Sequence, residues 1–198
     1  MIKLAVTGNI ASGKTLVEKF LKEQGIITFD ADKVVHDLLQ NNNEIKNQIF
    51  ELFKDKDIKD EKCEISRLKI GKIVFKDREK LKKLESIIHP EVKAKIEQFF
   101  IENKEKDIAA AVIPLLFEAG MESQFDYVIL VVADIDTRIK RLMERSNLTY
   151  EDAMDRINSQ MLQEEKIKKA DFVVDNSSTC EETRLQVVNI LSKLKSLI

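Results

Sequence analysis

Tryptophan is absent from this 198-residue chain, and proline (2 residues), cysteine (2) and glycine (5) are scarce. The scarcity of glycine and proline goes with a chain that carries no internal repeat and no low-complexity tract. Cys63 and Cys180 stand far apart with no metal-ligand or redox spacing, which excludes a disulfide framework and a cysteine metal centre. They read as reduced thiols, so a cytoplasmic location is expected. Charge of one sign is also missing: 33 basic and 35 acidic side chains leave a formal −2. That balance gives no electrostatic reason to expect a nucleic acid or a membrane surface as partner. Long apolar runs are lacking too. The longest, Ile108 to Phe117, is too short to span a bilayer, and the apolar start Met1–Gly8 carries no cleavage-site pattern, so it reads as a first strand.

What is present is an ordinary globular composition, 43% hydrophobic and 34% charged, in a chain long enough for one core with a smaller appendage. Ile2–Thr7 predicts a strand, and Leu16, Val17, Phe20 and Leu21 recur at helical spacing after it. Gly25 stops that helix, and Ile26–Phe29 predicts a second strand ending at Asp30-Ala31-Asp32. Further strands are expected at Ile108–Ile113, Tyr127–Val132 and Phe172–Val174, near-continuous apolar runs that suit a sheet covered on both faces. The order implies a parallel sheet in an α/β fold of three layers, α/β/α. Ile135, Ile139, Leu142 and Met143 predict a helical face, and Leu185, Val188, Leu191, Leu194 and Ile198 another that packs across the sheet. Residues 34–105 contain no strand signal; Asn41-Asn42-Asn43 breaks one helix and caps the next, and Lys54–Lys62 is a solvated connection. A helical insertion this large exceeds a simple crossover and is the natural place for a domain that grips a substrate.

Residues 8–15, Gly-Asn-Ile-Ala-Ser-Gly-Lys-Thr, fit G-x-x-x-x-G-K-[ST] between a strand and an amphipathic helix. Chance alone would place the pattern in roughly one chain of this size per hundred, before the flanking elements are required. The glycines let the backbone curl so that successive N–H groups face phosphate oxygens, and the helix start adds its positive dipole end. Lys14 can reach the β- and γ-phosphates, and the Thr15 hydroxyl can ligate Mg²⁺. A GTPase would carry an Asn-Lys-x-Asp reader; the nearest string, Asn103-Lys104-Glu105-Lys106, lacks the Asp and precedes a strand. Length and a single insertion favour a small-molecule kinase over a nucleotide-driven switch. Asp32, beyond the second strand's carboxyl end, can accept a proton from an attacking hydroxyl or hold water on the magnesium ion, whereas Asp30 suits a helix cap.

These residues resemble the dephospho-CoA kinase family over essentially the whole chain. The resemblance rests on Leu4–Thr15, Asp30-Ala-Asp32, Ile73-Val-Phe75, Leu84-Glu-Ser-Ile-Ile-His-Pro90, Pro114-Leu-Leu-Phe-Glu118, Arg141-Leu-Met-Glu-Arg145, Arg156-Ile-Asn-Ser-Gln160, Lys166-x-x-x-Ala170-Asp171 and Asp175-Asn176. It implies a P-loop NTPase core with a five-stranded parallel sheet, residues 1–33 and 106–198, a lid at about 145–165, and a helical CoA-binding insertion at 34–105. It implies transfer of the ATP γ-phosphoryl to the 3′-hydroxyl of dephospho-CoA, with Mg²⁺ as cofactor and ATP and dephospho-CoA as partners. The alternative is another P-loop nucleoside or nucleotide kinase. The expected assembly is a monomer or a weak homo-oligomer.

The resemblance assigns nucleotide binding to Gly8, Ala11, Ser12, Gly13, Lys14, Thr15 and Leu16, with Asn176 beside the adenine. Asp32 matches the family's general base, and Thr7 a position linked to the active site. Arg138, Arg141 and Arg145 lie i, i+3, i+7 on one helical stripe; Arg141 and Arg145 are assigned to the phosphates as catalytic cations and Arg138 to the solvated face. His89, read with Pro90 as the entry to a helix, is expected on the CoA side; Leu116 and Phe117 are expected against the acceptor. The sequence departs from the family pattern at Asn9 and Ala11, each in place of a glycine, at His36 in place of arginine and at Ser146 in place of aspartate.

Overall fold

Apolar side chains on both faces make β1 (Ile2–Thr7) a strand that must be covered twice. The computed structural model describes residues 1–61, 63–74 and 77–198; Lys62 of the charged run and Phe75 of the Ile73-Val-Phe75 string lie outside them. β1 pairs with β3 (Ile108–Val112) on one side and β4 (Tyr127–Val132) on the other. β2 (Ile27–Asp30) and β5 (Phe172–Asp175) complete a wholly parallel five-stranded sheet in the order β2-β3-β1-β4-β5. The expected α/β architecture is the observed one. Four strand ends move by a residue: β2 runs from Ile27 to Asp30, which pairs with Val112, β3 stops at Val112, and β5 takes in Asp175.

The chain divides into two compact units, Met1–Asp30 with Phe100–Ile198, and Ala31–Phe99. In the first, α1 (Lys14–Glu23) and α9 (Cys180–Lys195) cover one face of the sheet. Val17, Phe20 and Leu21 of α1 meet Val187, Ile190, Leu191 and Leu194 of α9 over Leu4, Val6, Ile129, Val131 and Val174. The buried face of α9 is thus 187–190–191–194. Leu185 and Ile198, expected on that face, are exposed, because steps of three drift around a 3.6-residue helix whereas mixed steps of three and four hold one side. A second apolar cluster joins Ile139 and Leu142 of α6 (Ile135–Ser146) to Ala153 and Ile157 of α7 (Tyr150–Asn158), with Ile10 and Ala11 packed against it. Ile135 and Met143 face solvent instead. The short α8 (Gln163–Ile167) follows before β5.

The second unit is helical: α2 (Ala31–Asn41), α3 (Asn43–Leu52), α4 (Arg67–Val74) and most of α5 (Arg78–Glu102). The asparagine run behaves as expected, α2 ending at Asn41 and Asn42 capping α3 by accepting from the Ile45 N–H at 3.1 Å. Among the described residues this unit holds one isolated bridge, Lys59 with Ile65, and no strand. Its core is Leu38, Leu39, Ile45, Ile49, Phe53, Ile70, Val92 and Ile96. The reading of His89-Pro90 as a helix entry is corrected: Pro90 lies inside α5, which runs on through it. The pyrrolidine ring deprives the Ser86 carbonyl of its i+4 donor, and packing of Val92 and Ile96 keeps the helix going despite that loss. Pro90→Ala should therefore stabilise the helical unit by up to about 3 kcal/mol in denaturant unfolding followed by circular dichroism. An unchanged or lowered stability would show that the proline ring itself contributes to packing.

Candidate active site

The phosphate loop leaves the carboxyl end of β1, the central strand, where ligands bind in open parallel sheets. Its glycines are fixed by space. A Cβ on Gly8 would come 2.3 Å from the Val131 carbonyl oxygen, and one on Gly13 would come 1.9 Å from Asn176 Nδ2. Gly13 also has φ +100°, a conformation that penalises any side chain. Ala11 sits at φ +61°, so the substitution of a glycine by alanine there costs about 1 kcal/mol of backbone strain, yet its methyl packs on the α6–α7 cluster.

A curl that turns N–H groups inward turns carbonyls outward, and each of those needs a donor. Here each is met. Lys14 Nζ donates to Gly8 O at 2.7 Å and Asn9 O at 3.1 Å. Arg138 Nε donates to Ile10 O at 3.1 Å, and Arg141 Nη1 to Ala11 O at 3.3 Å. Asn176 Nδ2 donates to Ser12 O at 2.8 Å, and the Gly13 carbonyl accepts from Leu16 N and Val17 N at the start of α1. By contrast, the N–H groups of Ala11, Gly13 and Thr15 make no hydrogen bond to protein among the described residues. The loop therefore presents donors on one side and is tied down on the other. That is an anion cradle at a helix N-terminus.

The donors have their own supports. Asp134 caps α6, accepting from the Thr137 N–H at 2.7 Å and hydroxyl at 2.8 Å, and those bonds hold its carboxyl below the usual range. Its N–H donates to Ser177 Oγ at 2.9 Å, linking α6 to the loop after β5. Arg141 bridges the same elements, with Nη2 donating to Asn176 O at 2.9 Å. Asn176 is buried, its Oδ1 accepting from the Thr183 hydroxyl at 3.0 Å and its N–H donating to Val132 O at 2.8 Å. Each of its polar groups is bonded inside the protein, which holds the side chain behind Gly13 and Ser12.

Other expected residues fall as follows. Thr7 is fully buried, its hydroxyl donating to Pro114 O at 3.2 Å, which ties the ends of β1 and β3. Leu116 and Phe117 are buried just past β3, and Lys169 Nζ lies 5.8 Å from the Phe117 ring centre. Ser12 is buried beneath the loop, Leu16 packs on the core, and Thr15 is exposed in the first turn of α1. Arg145 is exposed near the end of α6. Asp32 is exposed in the first turn of α2 and His89 is half-buried in α5, both in the helical unit, as is the exposed His36. Arg138 is the clear correction: assigned to the solvated face, it is 4% exposed, because α6 lays that side on Ile10.

Residues from the 159–166 segment also reach the loop. The Ile10 N–H donates to Gln160 Oε1 at 2.6 Å, and Asn9 Nδ2 donates to Met161 O at 2.9 Å. Asn9, where the family pattern has glycine, thus gains a bond that glycine cannot make. Lys166 is fully buried with Nζ 2.7 Å from Glu118 Oε1, which also accepts from Met161 N at 3.3 Å. Neither pairing was legible in spacing, although Gln160, Lys166 and Glu118 each stand in a string that carries the family resemblance. Mg²⁺ carried with ATP suits this donor set: Thr15 offers a hard hydroxyl oxygen, and among the described residues no cluster of three His, Cys, Asp or Glu side chains forms a cage. An ion held largely by phosphate and water needs none.

Gly13→Ala should abolish nucleotide binding measured by calorimetry, since Asn176 would be displaced from Ser12. Ala11→Gly should leave stability within about 1 kcal/mol, relief of αL strain offsetting the greater freedom of the unfolded chain. Tight binding by Gly13→Ala would show that the close approach of Asn176 is dispensable.

The family model for dephospho-CoA kinase matches residues 2–182. A dephospho-CoA kinase of Listeria innocua serovar 6a is 42% identical over 194 residues, covering 96% of each chain. Among solved structures, TT1252 from Thermus thermophilus aligns with a TM-score of 0.83 at 31% identity over 98% of this chain and 97% of its own. Dephospho-CoA kinase from Campylobacter jejuni aligns with a TM-score of 0.71 at 35% identity over 99% and 98%. A family match over nine-tenths of the length, on a sheet and loop of this geometry, leaves one assignment: the chain belongs to the dephospho-CoA kinase family.

Proposed function

We propose that this chain transfers the γ-phosphoryl group of ATP to the 3′-hydroxyl of dephospho-CoA, giving CoA and ADP. The observation that carries the reading is the loop whose carbonyls are all bonded while, among the described residues, the N–H groups of Ala11, Gly13 and Thr15 meet no protein acceptor. Such a loop offers polyphosphate backbone donors whose conformation is already set. Family membership supplies the acceptor.

In this reading the loop holds the β- and γ-phosphates and Lys14 exchanges its bonds to Gly8 O and Asn9 O for phosphate oxygens. Phosphoryl transfer has a loose transition state, so positioning and charge stabilisation do most of the work. Thr15 supplies a hydroxyl ligand to the Mg²⁺ that accompanies ATP, and that ion when bound neutralises phosphate charge. Arg145, exposed toward the end of α6, and Arg141 are the candidate cations for the transferring group, Arg141 by leaving its loop carbonyls. Asp32 accepts the proton of the 3′-hydroxyl; two residues past the end of β2, it stands in the chain where the acceptor is expected. The helical unit Ala31–Phe99, with His89, binds the CoA portion, and residues 145–165 act as the lid. Two exposed, unpaired cysteines and the lack of any long apolar helix among the described residues support work in the cytoplasm.

A coupled ADP-release assay with dephospho-CoA, adenosine and shikimate as acceptors tests this. Dephospho-CoA alone should stimulate release. Lys14→Ala should lower turnover by about 10³-fold and Asp32→Asn by about 10²-fold or more while both proteins remain folded. Equal stimulation by adenosine or shikimate would redirect the acceptor, and full activity of Asp32→Asn would remove it as base.

A further inference from the structure

Two arginines of α6 stand behind the phosphate loop, and neither has a carboxylate within ion-pair distance among the described residues. Arg138 is the more deeply placed. The residue is 4% exposed, its Nε donates to Ile10 O, and its Nη2 is buried without a hydrogen-bond acceptor among the described residues. Burying a cation without a counter-ion is expensive, and a fold tolerates it where the charge serves something else. The guanidinium's pKa is lowered by that burial and raised by Glu164, an exposed carboxylate of α8 whose field reaches it. Arginine remains protonated at any working pH, so a net positive charge stands directly behind Ile10.

Ile10 is held on both sides, its carbonyl by Arg138 and its N–H by Gln160 Oε1. The next residue, Ala11, is in the αL conformation, which an alanine keeps only where its neighbours are fixed. Releasing Ile10 would let Ala11 relax out of that conformation and take its N–H out of the cradle. Resting on the reading of residues 8–15 as the ATP phosphate site, we propose that Arg138 is a positioning residue. It fixes the cradle through the Ile10 carbonyl and adds a positive charge, offset only from a distance by Glu164, behind the bound phosphates. Because both effects act on substrate and transition state alike, they appear in affinity for ATP and not in turnover.

The test is ATP and ADP binding by calorimetry, together with steady-state kinetics, for the wild-type chain, Arg138→Gln and Arg138→Lys. Arg138→Gln is expected to weaken ATP binding about tenfold or more, with ADP weakened less. KM for ATP should rise correspondingly, with KM for dephospho-CoA unchanged and kcat within about twofold. Arg138→Lys, which keeps the charge and one donor, should recover most of the affinity. Unchanged ATP affinity in Arg138→Gln, or affinity unchanged with only a lowered melting temperature, overturns the proposal and leaves the arginine a strut of the fold. Glu164→Gln, a surface change, covers the case in which Arg138→Gln does not fold. Removing the carboxylate that offsets Arg138 should tighten ATP about twofold at low salt, and an unchanged affinity overturns the electrostatic claim. A wild-type chain that binds no ATP would sink the phosphate-site reading itself, an outcome distinct from a wild type that binds and a variant that binds equally well.

Discussion

A backbone that points several successive N–H groups at one anion has to point its carbonyls the other way, and a buried carbonyl without a donor costs as much as the anion contact gains. Much of this protein's nucleotide core follows from that constraint. Lys14, Arg138, Arg141 and Asn176 each bond a carbonyl between Gly8 and Ser12. The donors come from three separate elements, so the loop's conformation depends on the parallel sheet that brings those elements to one edge.

The topology explains why these elements meet. With β1 central and β4 and β5 beside it in parallel, the segments after all three strands emerge at the same edge. The loop follows β1, α6 follows β4, and Asn176 follows β5. Asp134 caps α6 and bonds Ser177, so the arginine-bearing helix and the Asn176 turn are aligned with each other independently of their bonds to the loop. Asn176 in turn fills the space that makes residue 13 a glycine. The 159–166 segment closes the set from another side, through Gln160, Asn9 and the Glu118–Lys166 pair.

Much of this was legible in the sequence. Five apolar runs gave the five strands, and one eight-residue pattern located the cradle, because close backbone approach and helix start leave a local signature. What was not legible is tertiary. The helical stripe Arg138–Arg141–Arg145 looks solvated or catalytic in a helical projection, and only packing against Ile10 buries its first member. Asn176 reads as a turn residue or a base contact until its amide is seen between Ser12 and Thr183. Pro90 looks like a helix start because proline usually is one, and the surrounding apolar contacts override that preference. The exposed ends of α9 show the same limit in milder form: a hydrophobic residue in a helix is a candidate for the core, and its angular position decides.

The residues proposed to hold ATP lie in Met1–Asp30 and Phe100–Ile198, whereas Asp32 and His89, proposed for the acceptor along with Leu116 and Phe117 of the first unit, belong to Ala31–Phe99. The most direct measurement is phosphorus NMR of the product formed from ATP and dephospho-CoA. A new phosphomonoester signal coupled to the ribose 3′ proton, growing in step with ADP, is the expected result. Phosphate released to water at the same rate with and without dephospho-CoA would contradict it.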